Sequence, residues 1–288
     1  MARRRRAEHS KRFAAALLPE SQALISDKLY YGPMLRGLSD ALLEHDVIMR
    51  PVQCLQAYQQ QQFLETAAGF YVGVVFLGPL YTAREFIERT VAKFSAPKVM
   101  LDHHFDDLPL HSVRDDAAAG MRLLTEHLVS LGHRRIAYLD RGNPEANPWK
   151  REGVVQALEA AGLPALGRGW SAGCRDNFAD VAAALDWFVG LEPRPTAVIC
   201  FDDRRALLLL QAAAEKGIGV PEDLSIAGYG DVAVRTGRSE ILTSVQVDAD
   251  AMGRRAADLV VGDPRGEIQS VLVTPRLMAR RSTTGPVG

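Results

Sequence analysis

Side chains able to grip a small molecule gather in this chain at the ends of short apolar runs. Tyr30 and Tyr31 stand together ahead of an amphipathic segment. An aromatic face stacks on the apolar side of a ring while its hydroxyl stays available as a polar handle. The same pair also suits a hydrophobic staple at a helix start. Asp102, His103 and His104 close the run PKVML, and Asp202 with Asp203 closes PTAVICF. Adjacent carboxylates accept hydrogen bonds from hydroxyls or amines, and they suit a cationic ligand better than an anionic one. Asp203 also fits the N-cap of the helix that follows. Asp102, His103 and His104 lack the further ligands a metal would need, so no metal is expected. Cys54, Cys174 and Cys200 are far apart, with neither metal spacing nor a disulfide framework, and Cys200 sits in an apolar run. The chain has no G-x-S-x-G, P-loop or H-E-x-x-H motif and no dinucleotide fingerprint, so neither catalysis nor a cofactor is expected.

These residues need a scaffold that brings strand ends together. Short apolar runs alternate with longer amphipathic segments, the rhythm of parallel sheets with crossover helices. FAAALLP from Phe13 reads as the first strand, and Tyr31–His45 as a helix with Leu35, Leu38, Leu42 and Leu43 on one face. Val47–Val52 and Gly73–Gly78 read as strands around a Gln-rich helix, followed by helix Glu85–Phe94 and strand Pro97–His104. Asp116 then caps helix Met121–His133, and Gly132 ends it. Strands Arg134–Asp140, Pro195–Asp203 and Leu224–Asp231 alternate with helices over Arg151–Leu163, Val181–Leu191 and Arg204–Gly217. A last helix spans Asp248–Gly262, and SVLVTPRLMARRST forms a terminal extended piece.

A fold of class α/β with two similar lobes follows, each a parallel sheet flanked by helices. The expected division is a basic tail or hinge remnant at 1–12, one lobe at 13–114 plus 246–266, and a second at 115–245 plus 267–288. Ligands of open parallel sheets bind beyond the carboxyl ends of the strands. The loops there hold Tyr30, Tyr31, Tyr81, Asp102, Lys150 and Asp231, and two facing lobes would place them around a shared cleft. Composition fits a folded soluble body: 47% hydrophobic, 24% charged, net charge −1 and pI ≈ 6.7, so the body is no basic nucleic-acid grip. No run spans a membrane, and FAAALLP, ended by Pro19, is too short for a secretory signal. A cytoplasmic protein is expected.

Five phrases, in order, are similar to the LacI/GalR family of transcriptional regulators and its periplasmic-binding-protein-like core. They are HLVSLGHRRIAYLD (His127–Asp140), PTAVICFDDRRA (Pro195–Ala206), GIGVPEDLSIAGYGD (Gly217–Asp231), LTSVQVDADAMGRRAADLV (Leu242–Val260) and ARRST (Ala279–Thr283). The resemblance runs from about Phe13 to Thr283. It implies a type I two-lobed fold, a homodimer and a small-molecule effector (sugar, nucleoside or amine-like) in the interlobe cleft. It implies that Tyr30 and Tyr31 lie over the ligand ring and that Asp203 grips the ligand, with Asp202 in place of the usual Asn. Two positions depart from the pattern. Lys150, with Arg151 beside it, replaces an Arg that forks onto ligand oxygens, and Gly230 replaces a gripping Asp, leaving Asp231 one place later. A point charge does not substitute for a planar fork, so a simple sugar effector does not follow from the resemblance. Phe178 and Trp149 suit the pocket wall or plain packing.

The basic run Arg3–Arg6 reads as a solvated tail or hinge remnant. No helix-turn-helix precedes Phe13, so contact with DNA is expected only through a headpiece absent from this chain. The alternative function is a solute-binding protein of a transport or chemotaxis system, which would need an export signal.

Overall fold

The computed structural model describes residues 12–18, 28–53, 56–66, 69–78, 84–142, 147–164, 166, 170–232, 241–263 and 265–286. The chain divides into two compact units, Met1–Arg114 with Ala249–Val273 and Asp115–Asp248 with Thr274–Gly288.

The first unit is built on strands β1 (Arg12–Leu18), β2 (Val47–Gln53), β3 (Tyr71–Leu77), β4 (Lys98–Leu101) and β5 (His111–Asp115), with β11 (Ser270–Val273) at one edge. The sheet runs in the order β11-β5-β4-β3-β1-β2, and β1 to β5 pair parallel. Helices α1 (Lys28–Glu44), α2 (Ala57–Thr66), α3 (Arg84–Lys93) and α8 (Ala249–Val260) accompany it. The runs AAAL in β1 and VVFL in β3 are buried throughout because a sheet covered on both faces leaves no side for polar residues. Phe63, Phe76, Phe86, Phe94 and Met100 fill one core of this unit.

Helices α1 and α8 approach closely enough to exclude side chains. A Cβ on Gly253 would stand 2.0 Å from the Met34 carbonyl oxygen, and one on Gly37 would stand 2.2 Å from that of Asp250. Arg36 and Arg254 bind the Asp250 carboxylate at 3.1 and 3.0 Å, and Arg254 reaches Glu44 at 3.1 Å. The crossover helix α8 thereby fixes α1, which carries Tyr30 and Tyr31.

The second unit holds β6 (Ile136–Asp140), β7 (Ser171–Gly173), β8 (Ala197–Cys200), β9 (Ser225–Gly230), β10 (Thr243–Gln246) and β12 (Arg276–Met278). They are ordered β12-β10-β9-β8-β6-β7, parallel except for antiparallel β12. Its helices are α4 (Ala117–Ser130), α5 (Pro148–Ala160), α6 (Phe178–Val189) and α7 (Asp203–Glu215). Leu139, Leu185, Phe188, Val198, Leu209 and Ile226 centre one core. Asp116 caps α4, accepting from the Ala119 amide at 2.9 Å. Gly132, Gly162 and Gly217 follow their helices at φ 101°, 67° and 68°, as sequence reasoning requires of helix stops.

Several boundaries differ from the sequence reading. Helix α1 begins at Lys28, three residues before the expected start at Tyr31, so Tyr30 as well as Tyr31 lies within its first turns. The short strands β5 and β7 carry too few apolar residues to announce themselves. The terminal extended piece breaks at Thr274–Pro275. Its first half, expected with the second lobe, is β11 of the first sheet, held where the Gln269 amide donates to His111 Nδ1 at 3.1 Å. Its second half joins the second sheet as β12. The basic run Arg3–Arg6, Cys54 and Tyr81 lie outside the described residues.

Candidate functional site

In both sheets the two strands that next follow one strand in the chain pair on its opposite sides: β2 and β3 flank β1, and β7 and β8 flank β6. Such switch points leave a crevice beyond the carboxyl ends, the place where doubly wound sheets bind ligands.

In the first unit Asp102 stands directly after β4, with φ at 70°. This left-handed conformation is rare for side-chain-bearing residues, and Asp tolerates it better than most. Tyr30 Oη donates to its Oδ1 at 2.8 Å and Tyr31 Oη to its Oδ2 at 3.0 Å. The two rings meet edge to face with centroids 5.2 Å apart. Tyr31 is buried and Tyr30 partly exposed, so one phenol braces the carboxylate from within while the other stands at its rim. His103 packs edge-on against Phe105. Burial, then the nearby His104 and Arg114, lower its pKa to about 4, so it is a neutral imidazole at pH 7. His104 bonds Ser112 Oγ and Asp106, each at 2.9 Å.

In the second unit the helix after β8 is capped by Asp202, not Asp203: its Oδ1 accepts from the Arg205 amide at 2.9 Å. Asp203 is fully buried, accepting from Ser244 Oγ at 2.5 Å and pressed against Gly228. It holds β9 and β10 to α7. Arg205, also buried, donates to Asp202 at 2.5 Å and to the Cys174 carbonyl at 3.2 and 3.3 Å, tying the ends of β7 and β8 together. Lys150 is buried rather than presented to solvent. Its Nζ donates to the Phe201 carbonyl at 2.8 Å and lies 4.1 and 3.9 Å from the Phe201 and Tyr229 ring centroids. The aromatic faces offset part of the cost of desolvating an ammonium. Tyr229 in turn donates a short hydrogen bond to Asp115.

Other expected residues make the following contacts within the second unit. Arg151 turns to Ser171 Oγ at 2.8 Å, and Phe178 packs against the core at the start of α6. Asp231, at φ 52°, is buried and paired with Arg280 at 2.7 Å. The thiols of Cys174 and Cys200 have raised pKa values, chiefly through burial, and stay protonated at neutral pH. Among the described residues no group of His, Cys, Asp and Glu could hold a metal ion, and no helix is long and apolar enough to cross a membrane.

The model of the periplasmic binding protein-like domain matches residues 125–283. The chain belongs to that family. Among curated relatives, the arabinose metabolism transcriptional repressor of Geobacillus stearothermophilus is 28% identical over 202 residues, covering 65% of this chain and 53% of the repressor. The transcriptional repressor PurR of Vibrio atlanticus is 33% identical over 181 residues, covering 62% and 52%. The chain thus spans little more than half the length of either. Among solved structures, a CelR–cellobiose complex superposes with a TM-score of 0.81 at 24% identity, covering 94% of this chain and 84% of that one. A LacI-family regulator from Enterococcus faecium with bound ribose gives 0.79 at 20% identity, covering 95% and 99%. The resemblance to LacI-type regulators carried by the sequence phrases stands, and the chain covers their periplasmic binding protein-like region.

Within this family member the structure groups Tyr30, Tyr31 and Asp102 beyond the first sheet, and Lys150 and Asp202, through Phe201 and Arg205, beyond the second. Sequence reasoning missed Arg205, Phe201, Tyr229 and Asp115. Arg205 had a usable signal, a cation three residues after the N-cap Asp202 and directly before the apolar run ALLLL. Tyr229 had none, since LSIAGYG reads as a buried strand whatever its aromatic does.

Proposed function

We propose that this chain is the ligand-sensing and dimerising core of a LacI-type transcriptional regulator. It works in the cytoplasm and binds a small effector (sugar, nucleoside or amine) beyond the carboxyl ends of its parallel strands, without turning it over. DNA is contacted through a helix-turn-helix headpiece rather than through these residues. Asp102 and the two phenols bonded to it carry this reading: a polar clamp at the carboxyl end of a parallel strand, with an aromatic ring at its rim. Relatives that are repressors, and structural neighbours holding ribose and cellobiose, support it. Binding favours one arrangement of the units, and that bias is the signal a headpiece would read.

A thermal-shift panel of D-ribose, L-arabinose, cellobiose, adenosine, guanosine and putrescine tests the sensing claim. A ligand at about 100 times its Kd stabilises the folded state by about 2.7 kcal/mol, a readily measured rise in Tm. No shift with any member overturns the proposal. Light scattering on the eluting protein tests the dimer.

A further inference from the structure

Tyr138 lies on β6, the switch strand of the second sheet, two residues before its carboxyl end. Its side chain is fully buried, and its hydroxyl has no hydrogen-bond partner among the described residues. A buried hydroxyl left unpaired is costly, and native proteins rarely keep one without a use. Its strand neighbours Ala137 and Leu139 face the apolar core, so by alternation Tyr138 faces the other side together with Asp140. The parallel register sets Tyr138 beside Ser171 of β7, whose Oγ accepts from Arg151. Asp140 accepts from the Arg141 amide at 2.6 Å through Oδ1. Burial first, then Asp140 and Asp202, raise the pKa of the phenol, while Arg151 opposes them, so all three charges lie within electrostatic reach. The phenol keeps its proton at neutral pH.

We propose that Tyr138, Asp140 and Arg151 form a polar subsite at the carboxyl end of β6 that takes a hydroxyl group of the ligand. This rests on the function proposed above and adds its chemistry on the second unit. A hydroxyl can accept from Tyr138 or Arg151 and donate to Asp140 at once. A carboxylate or phosphate has no proton for Asp140. An ammonium would leave the phenol proton and the remaining guanidinium N–H groups unmet. Tyr138 therefore selects for hydroxylated ligands.

Tyr138→Phe, which removes one atom, tests this by calorimetric titration with D-ribose, L-arabinose and cellobiose, alongside the melting temperature of the unliganded protein. The expected result is an affinity lower by about 5- to 20-fold, as for one lost hydrogen bond, with no fall in unliganded Tm. Affinity within twofold of wild type overturns the proposal. So does a clear drop in unliganded Tm, which would mean the hydroxyl is already satisfied inside the protein. If putrescine alone binds the wild type, the hydroxyl class is wrong while the sensing function survives. If no member of the six-compound thermal-shift panel binds, that function falls and this subsite with it.

Discussion

Gly153 sits in α5, two residues from Arg151 and three from Lys150, where the helix crosses α4. A Cβ there would stand 2.2 Å from the Ala118 carbonyl oxygen and 2.9 Å from its carbonyl carbon and Cα. All three contacts are backbone, so no side chain can swing aside, and the helices must part by about 1 Å to restore ordinary contact. Overpacking of this kind costs roughly 1–3 kcal/mol, and the upper end applies when the obstacle is main chain. Alanine returns up to about 1 kcal/mol through its better helix propensity. Gly153→Ala should therefore destabilise the second unit by about 2 kcal/mol. At roughly 2–4 °C per kcal/mol for a body of this size, its calorimetric transition should fall by about 4–8 °C. Gly153→Val should fall further. The same displacement draws Lys150 Nζ away from the Phe201 carbonyl, so ligand affinity should drop with stability. An unchanged or raised Tm for Gly153→Ala would refute the reasoning, because helix propensity would then have won over a contact that is not tight.

Acid sensitivity should follow from the histidines. Burial lowers the pKa values of His103, His111, His127 and His133, His103 to about 4. Unfolded histidines protonate near 6.5, so between about pH 4 and 6.5 the unfolded chain binds more protons and stability falls as pH falls, levelling above about 7. Urea midpoints at pH 7.5 and 5.5 check the sign; equal midpoints would contradict it. Asp102→Asn keeps a residue that tolerates positive φ but weakens two charge-assisted bonds, for a loss of about 1 kcal/mol in urea unfolding. Asp102→Ala adds backbone strain to two lost bonds and should cost more than Asn; the reverse order would refute the bracing role. Arg205→Met should cost about 3 kcal/mol by leaving Asp202 without its cation and the Cys174 carbonyl without its donor, measured by thermal melt.

Much of the fold is legible in the sequence because parallel strands buried on both faces must be apolar throughout, as FAAALL, VVFL, IAYL and AVIC are. Helix stops are legible for the same kind of reason, since Gly132, Gly162 and Gly217 occupy backbone conformations that side chains resist. Strands β5 and β7 are not, because HSVRD and SAG draw their order from neighbours rather than from pattern. The site is half legible. Tyr30, Tyr31 and Asp102 lie 71 and 72 residues apart, and no local rule joins them; only the placement of strand ends does. The direction a side chain takes is harder still. Asp202 and Asp203 look equivalent in sequence, but the helix start sends one to its cap and turns the other into the core. Lys150 and Arg151 divide likewise, one beneath two aromatic rings and the other over β7.

Hydrogen–deuterium exchange with and without a saturating panel ligand tests the central claim most directly, because it locates binding without any substitution. Ligand at the strand ends should slow exchange in peptides covering 100–106, 138–142 and 200–206, the carboxyl ends of β4, β6 and β8. Protection confined to the opposite ends, around 94–98, 194–197 and 221–225, would contradict it.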